Sequence, residues 1–164
     1  MLNFLRSKKE EKFFDEEKVL IEEYEKFFSL FSKIALLSYV IVSYIEEMES
    51  VINSLNNKSK EEEIELVKKR LSAVSNKITY EILTRRRSLE DLKDIHSNFL
   101  DILSQFLNFL KSVKDLNKEN LENFKLELIY YKSEFKKLIE KYKRIKGNLK
   151  DLLNTLKKNL RKIN

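Results

Sequence analysis

The chain has 164 residues and a net charge of +6, with 37% charged residues, one glycine (Gly147), no proline and no cysteine. That length suits one domain with a real core. With so little Gly and Pro, turn chemistry rests on Asn, Asp and Ser, which argues against β-rich folds; without Cys, disulfide and thiolate chemistry are excluded.

The expectation is therefore a single all-α domain over residues 1–164. The opening "MLNFLRSKKEEKFF" has too short an apolar run, followed at once by charge, to read as a secretory signal. A cytoplasmic location follows as the default.

The first helix is expected over about 8–56. It opens at "SKKE", where Ser7 stands three residues before Glu10 in capping-box spacing. Its apolar seam runs Phe13, Leu20, Tyr24, Phe27, Phe31, Ile34, Ile41, Ile45, Met48, Ile52 and Leu55, interrupted by Glu17 and Ser38. Inside it lies "FFSLFSKIALLSYVIVSYI", Phe27 to Ile45, with Lys33 as the one charge. Length alone would let this segment approach a bilayer span. The side away from the seam nevertheless reads Glu22, Glu25, Lys26, Ser29, Ser32 and Lys33, then Ser43, Glu46, Glu47 and Ser50. A lipid-facing helix is apolar all round and has basic or aromatic flanks, so a bundle face is expected instead.

A second helix over about 60–86 begins at "SKEE", with Ser59 as its cap and Ile64, Val67, Leu71, Val74 and Ile78 as its seam. A third over about 89–115 begins at "SLED" with Ser88, and shows Leu92, Ile95, Phe99, Ile102, Phe106, Phe109 and Val113, with Leu103 and Leu110 alongside. The step from Leu116 to Leu121 loses phase, so a break is expected at "DLNKEN", with Asn117 capping a fourth helix over about 118–163. Its seam is Leu121, Phe124, Leu128, Tyr131, Phe135, Leu138, Tyr142, Ile145, Leu149, Leu152, Leu156, Asn159 and Ile163. Because this seam passes through Gly147 in phase, the helix is expected to continue there. Asn159, the polar member, either costs little near a frayed end or fixes register.

Short connections make successive helices antiparallel neighbours. The predicted architecture is an antiparallel four-helix bundle whose two long helices, each roughly 70 Å at 1.5 Å per residue, extend as a two-stranded coiled-coil stalk. Charge agrees. Residues 10–25 hold eight acids and two lysines, and residues 141–163 hold nine bases and one acid, so pairing places opposite charges side by side. Exposed pairs of this kind contribute about 0–1 kcal/mol each and set orientation more than stability.

The polar far side fails at Leu36, Tyr39 and Val40, and the fourth helix carries a counterpart trio, Leu126, Ile129 and Tyr130. A register near i beside 174 − i puts the trios at similar heights. Either neighbouring helices cover them, or they form an apolar patch for a second copy or another protein.

Catalytic constellations are hard to build. The one histidine, His96, sits beside the seam; Lys93 stands where a Glu-x-x-His metal motif needs its acid, and no second His exists. One Gly cannot make a phosphate loop. No metal, cofactor or enzymatic activity is expected. "NKS" at Asn57 matches a glycosylation acceptor without a secretory route. The expected function is protein–protein interaction or assembly, with self-association. The alternative is sequence-independent nucleic-acid binding through Arg85, Arg86, Arg87, Lys143, Arg144, Lys157, Lys158 and Arg161. Peripheral contact with an acidic membrane through the same bases is less favoured. The heptads, caps and charged halves carry no family signature.

Overall fold

A computed structural model of the protein describes residues 8–91 and 97–163. Every described element is helical: α1 (Lys8–Ile52), α2 (Glu61–Leu83), α3 (Arg86–Asp91), α4 (Ser97–Lys111), a 3₁₀ turn (Ser112–Asp115) and α5 (Leu121–Ile163). No strand occurs among the described residues. Ser7, Leu92, Ile95 and His96, together with the side chains of Phe13 and Ile163, lie outside the described residues.

The ends of the helices differ from their expected caps for local reasons. Ser59 does not cap α2. Its hydroxyl accepts the Asn56 backbone N–H at 2.9 Å, closing the loop before the helix, and the N-cap falls on Lys60, which offers no side-chain hydrogen bond. The first turn of α2 relies instead on Glu61, Glu62 and Glu63 at the positive end of the helix dipole. At the other end α2 stops at Leu83, before the expected residue 86, and α3 starts at Arg86, before the expected 89, so Ser88 lies within that helix. Only Thr84 and Arg85 separate the two helices. Thr84 keeps right-handed helical angles, and Arg85 donates from Nη1 to the Glu81 carbonyl at 2.8 Å.

The break before α5 falls where the seam loses phase. Asn117 and Asn120 exchange hydrogen bonds, each backbone N–H donating to the other's Oδ1 at 2.8 and 2.9 Å. Asn120 also donates from Nδ2 to the Asp115 carbonyl at 2.9 Å. This is capping-box reciprocity built from two amides, and it starts α5 at Leu121. Helix α5 then runs unbroken through Gly147.

The chain divides into two compact units, whose boundaries fall inside α1 and α5. The central unit spans Ala35–Glu140. Its helices pack against one another through the expected seams. Ile41, Ile45, Met48 and Ile52 on α1 are buried, with Leu37 beside the seam, as are Ile64, Val67, Leu71, Val74 and Ile78 on α2. So are Phe99, Ile102, Phe106 and Phe109 on α4. Helix α1 meets α2 at Glu47–Lys77 (3.7 Å) and α5 at Glu49–Lys132 (2.7 Å), while Lys125 Nζ donates to the Leu55 carbonyl at 2.7 Å. Helices α4 and α5 share an aromatic cluster. Phe106 meets Tyr131 and Phe135 (both 5.3 Å between centroids), and Phe109 meets Phe124 at 4.8 Å. These pairings advance along one helix as they retreat along the other, so α1 and α5, and α4 and α5, run antiparallel.

The terminal unit holds α1 up to Ile34 and α5 from Lys141. Phe31 stacks on Tyr142 at 5.6 Å, Lys146 Nζ lies 5.4 Å from the Phe28 ring centroid, and Lys157 pairs with Glu25 at 2.8 Å, so the two helices are antiparallel here also. The buried positions depart from the expected seam. Ile21 and Leu153 are buried, whereas Leu20 and Leu152, one residue earlier, are 38% and 40% exposed. A strict heptad drifts about 20° per repeat on a straight 3.6-residue helix. On α5 this drift carries Leu152 out of the seam and Leu153 into it; on α1 it runs the other way and does not account for Ile21.

A Cβ built on Gly147 meets no atom within 4 Å. Gly147→Ala is therefore expected to raise stability by about 0.5–1 kcal/mol, the helix-interior difference between the two residues. A thermal melt of the variant checks this; a lower midpoint would mean that the glycine is needed where it stands.

Candidate interaction surface

The two expected trios are placed on helix faces directed away from the core. Leu36, Tyr39, Leu126, Ile129 and Tyr130 are about half or more exposed, and Val40 is half-buried. On each helix the cause is rotation: the core seam is already filled by residues on the opposite side. Leu37 and Ile41 on α1 are buried, as are Leu128 and Phe135 on α5. The neighbouring helices do not cover the trios.

The structure does not bring the trios together as expected. Glu49–Lys132 and Leu55–Lys125 fix a register near i beside 180 − i in the central unit. Tyr130 is then level with residue 50, eleven residues from Tyr39, which is roughly 16 Å along the axis. The register of 174 − i holds instead at Phe31–Tyr142. The trios are two separate apolar spots.

Sequence reasoning missed a third at Tyr80 and Leu83, and a lone exposed leucine, Leu66, about two heptads before it. Leu66, Tyr80 and Leu83 on α2 are each more than 60% exposed. The signal was available: Leu66 and Tyr80 are two heptads apart and off the seam, with Leu83 one turn on. At the start of α2 and the approach to α5, an open cleft of about 530 Å³ is lined by Ile64 and Leu116 among Glu61, Glu65, Lys68 and Asp115. No group of three His, Asp or Glu side chains suited to a metal ion occurs among the described residues.

The expected basic contacts fall into two units. Arg85 is held by Glu81 and Arg86 by Glu90 (3.3 Å), with Arg87 exposed. Lys143, Arg144, Lys158 and Arg161 are exposed on the terminal part of α5, and Lys157 is paired with Glu25. By unit the charge is uneven. Residues 8–34 and 141–163 hold 15 Lys and Arg against 9 Asp and Glu, a net +6, while residues 35–140 hold 17 against 18, a net −1.

The region Asp15–Ile52 of α1 is long and apolar enough to cross a membrane by length and composition. Its most apolar window is 44% buried within the protein. No protein-family model, no curated protein and no solved structure matches the chain.

Two buried polar groups show what the packing costs. Ser38, the expected interruption of the α1 seam, is fully buried and its Oγ has no hydrogen-bond partner. Ser38→Ala removes a desolvated hydroxyl and is expected to leave stability unchanged or raise it by up to about 1 kcal/mol, read from denaturant unfolding. Tyr142 is buried, and burial raises its pKa above the ordinary tyrosine value of 10.0. The folded state thus keeps a proton that the unfolded chain releases above about pH 10, so this contribution is complete below that pH and is lost as pH rises further. Melts between about pH 9 and 11 should fall less steeply for Tyr142→Phe than for the natural chain; equal slopes would exclude this tyrosine as the cause.

Proposed function

We propose that the chain is a non-catalytic assembly protein. In this reading it is an antiparallel four-helix bundle whose two long helices continue as a two-helix stalk; it self-associates, and apolar spots on its outer faces dock other proteins. The observation that carries the reading is the exposure of Leu36, Tyr39, Leu126, Ile129 and Tyr130 on helices whose core faces are already filled. Scattered single leucines mean little, but clustered leucine and tyrosine at helical spacing on several faces are what interaction surfaces need. The polar far side of α1 favours a soluble, cytoplasmic protein over a spanning one.

Tyr39→Glu combined with Tyr130→Glu places a charge on each spot at an exposed side chain. The pair is expected to keep its helical circular dichroism and to lose capture of native partners; capture equal to that of the natural chain would contradict docking through these spots.

A second reading, sequence-independent binding to nucleic acid, draws on the concentration of net charge in the terminal unit and on exposed Arg144, Lys158 and Arg161. Phosphate contacts of this kind weaken steeply with salt. Labelled duplex that binds at low ionic strength and is released across a salt series would support it, and no binding at low salt would remove it.

A further inference from the structure

The terminal unit carries an apolar seam that its own two helices bury only in part. Leu20, Tyr24 and Phe27 follow i, i+4, i+7 on α1, and Leu149, Leu152 and Leu156 follow i, i+3, i+7 on α5. All six are half-buried or exposed. The contact between the helices centres on Phe28 with Lys146, with Phe31–Tyr142 on the side next to the stripes and Glu25–Lys157 on the side away from them. At about 100° per residue, the Leu20–Tyr24–Phe27 stripe lies roughly a quarter-turn from the α1 side that meets α5. The Leu149–Leu152–Leu156 stripe lies a quarter-turn, in the same rotational sense, from the α5 side that meets α1. Because the helices are antiparallel, equal senses bring both stripes to one side of the pair. The opposite side carries Asp15, Glu22, Lys143, Lys158 and Arg161, all exposed. This unit is a two-helix layer with one apolar and one charged face.

We infer that the apolar face is the site of self-association, covered by the same face of a second copy, so that two layers make a four-helix core between chains. A layer of two helices has no other face on which to bury these residues. The inference deepens the self-association proposed above and rests on it, but uses a surface separate from the two tyrosine spots.

Charge selects the second copy and its orientation. Glu16 and Glu23 line the outer edge of α1, and Arg144 and Lys162 line the outer edge of α5, all four exposed. Laying α1 of one copy over α5 of the other sets each acidic edge beside a basic edge, twice. Laying α1 over α1 would set acid beside acid, which opposes that alternative.

The full chain is tested by sedimentation velocity over a concentration series. The natural chain and Tyr39→Glu/Tyr130→Glu are both expected to be dimers, while Leu20→Glu/Leu152→Glu is expected to be a monomer with unchanged helical circular dichroism. Retention of the dimer by the leucine variant overturns the assignment to this face. Loss of the dimer only in the tyrosine variant moves self-association to the spots of the central unit, and a monomeric natural chain overturns self-association altogether. Orientation has its own test, because the chain lacks cysteine. A mixture of Leu20→Cys and Leu156→Cys chains, oxidised under mild conditions, is expected to cross-link mainly between unlike chains. Cross-links formed mainly between two Leu20→Cys chains would overturn the α1-over-α5 arrangement.

Discussion

Two helices of 45 and 43 residues, each with an apolar stripe along its length, must lay those stripes on neighbours, and the rest of the structure follows from how much neighbour each stripe finds. Between Ala35 and Glu140 the shorter helices α2 and α4 supply the missing walls, so Ile41, Ile45, Leu71, Ile78, Phe106 and Phe135 are fully enclosed. Burying such side chains contributes roughly 1.5–3 kcal/mol each, which makes the seam the dominant stabilising feature. Among the described residues of the terminal unit, α1 and α5 pack on each other. Ile21, Phe31, Tyr142 and Leu153 are buried there, while Tyr24, Phe27, Leu149 and Leu156 stay half-covered.

The polar groups follow the same logic. Cross-helix ion pairs such as Glu49–Lys132 and Glu25–Lys157 lie at the margins of the seams, where they fix direction and register while adding little stability. Turns are made by Asn and Ser side chains: Asn56 with Ser59 after α1, and Asn117 with Asn120 before α5. In these two loops the hydrogen-bonded Asn and Ser side chains stand in for the backbone freedom that glycine would otherwise supply.

Much of this is legible in the sequence. The core of α2 and the aromatic face of α4 can be read residue by residue, because their short seams leave no room for drift. The break at "DLNKEN" is legible from a loss of phase. Ser59 misleads because a Ser three residues before Glu fits a cap equally well whether its hydroxyl faces the helix or the preceding loop, and Asn56 decides between them. Leu152 misleads because a heptad extrapolated over several repeats overshoots on a helix of 3.6 residues per turn; the burial of Ile21 in place of Leu20 has no such account. The surface trios are individually legible as off-seam residues. Their separation is not, since it depends on a cross-helix register that only Glu49–Lys132 and Leu55–Lys125 reveal.

The proposed role as an assembly protein rests on faces that the fold leaves apolar, and the most complete of these is the seam of the terminal unit. Backbone amide exchange, followed at low and at high protein concentration, bears most directly on it. Pairing between copies predicts that protection of residues 20–31 and 145–156 grows with concentration, while residues 61–83 in α2 are unaffected. Exchange at 20–31 and 145–156 that is the same at both concentrations would contradict the account.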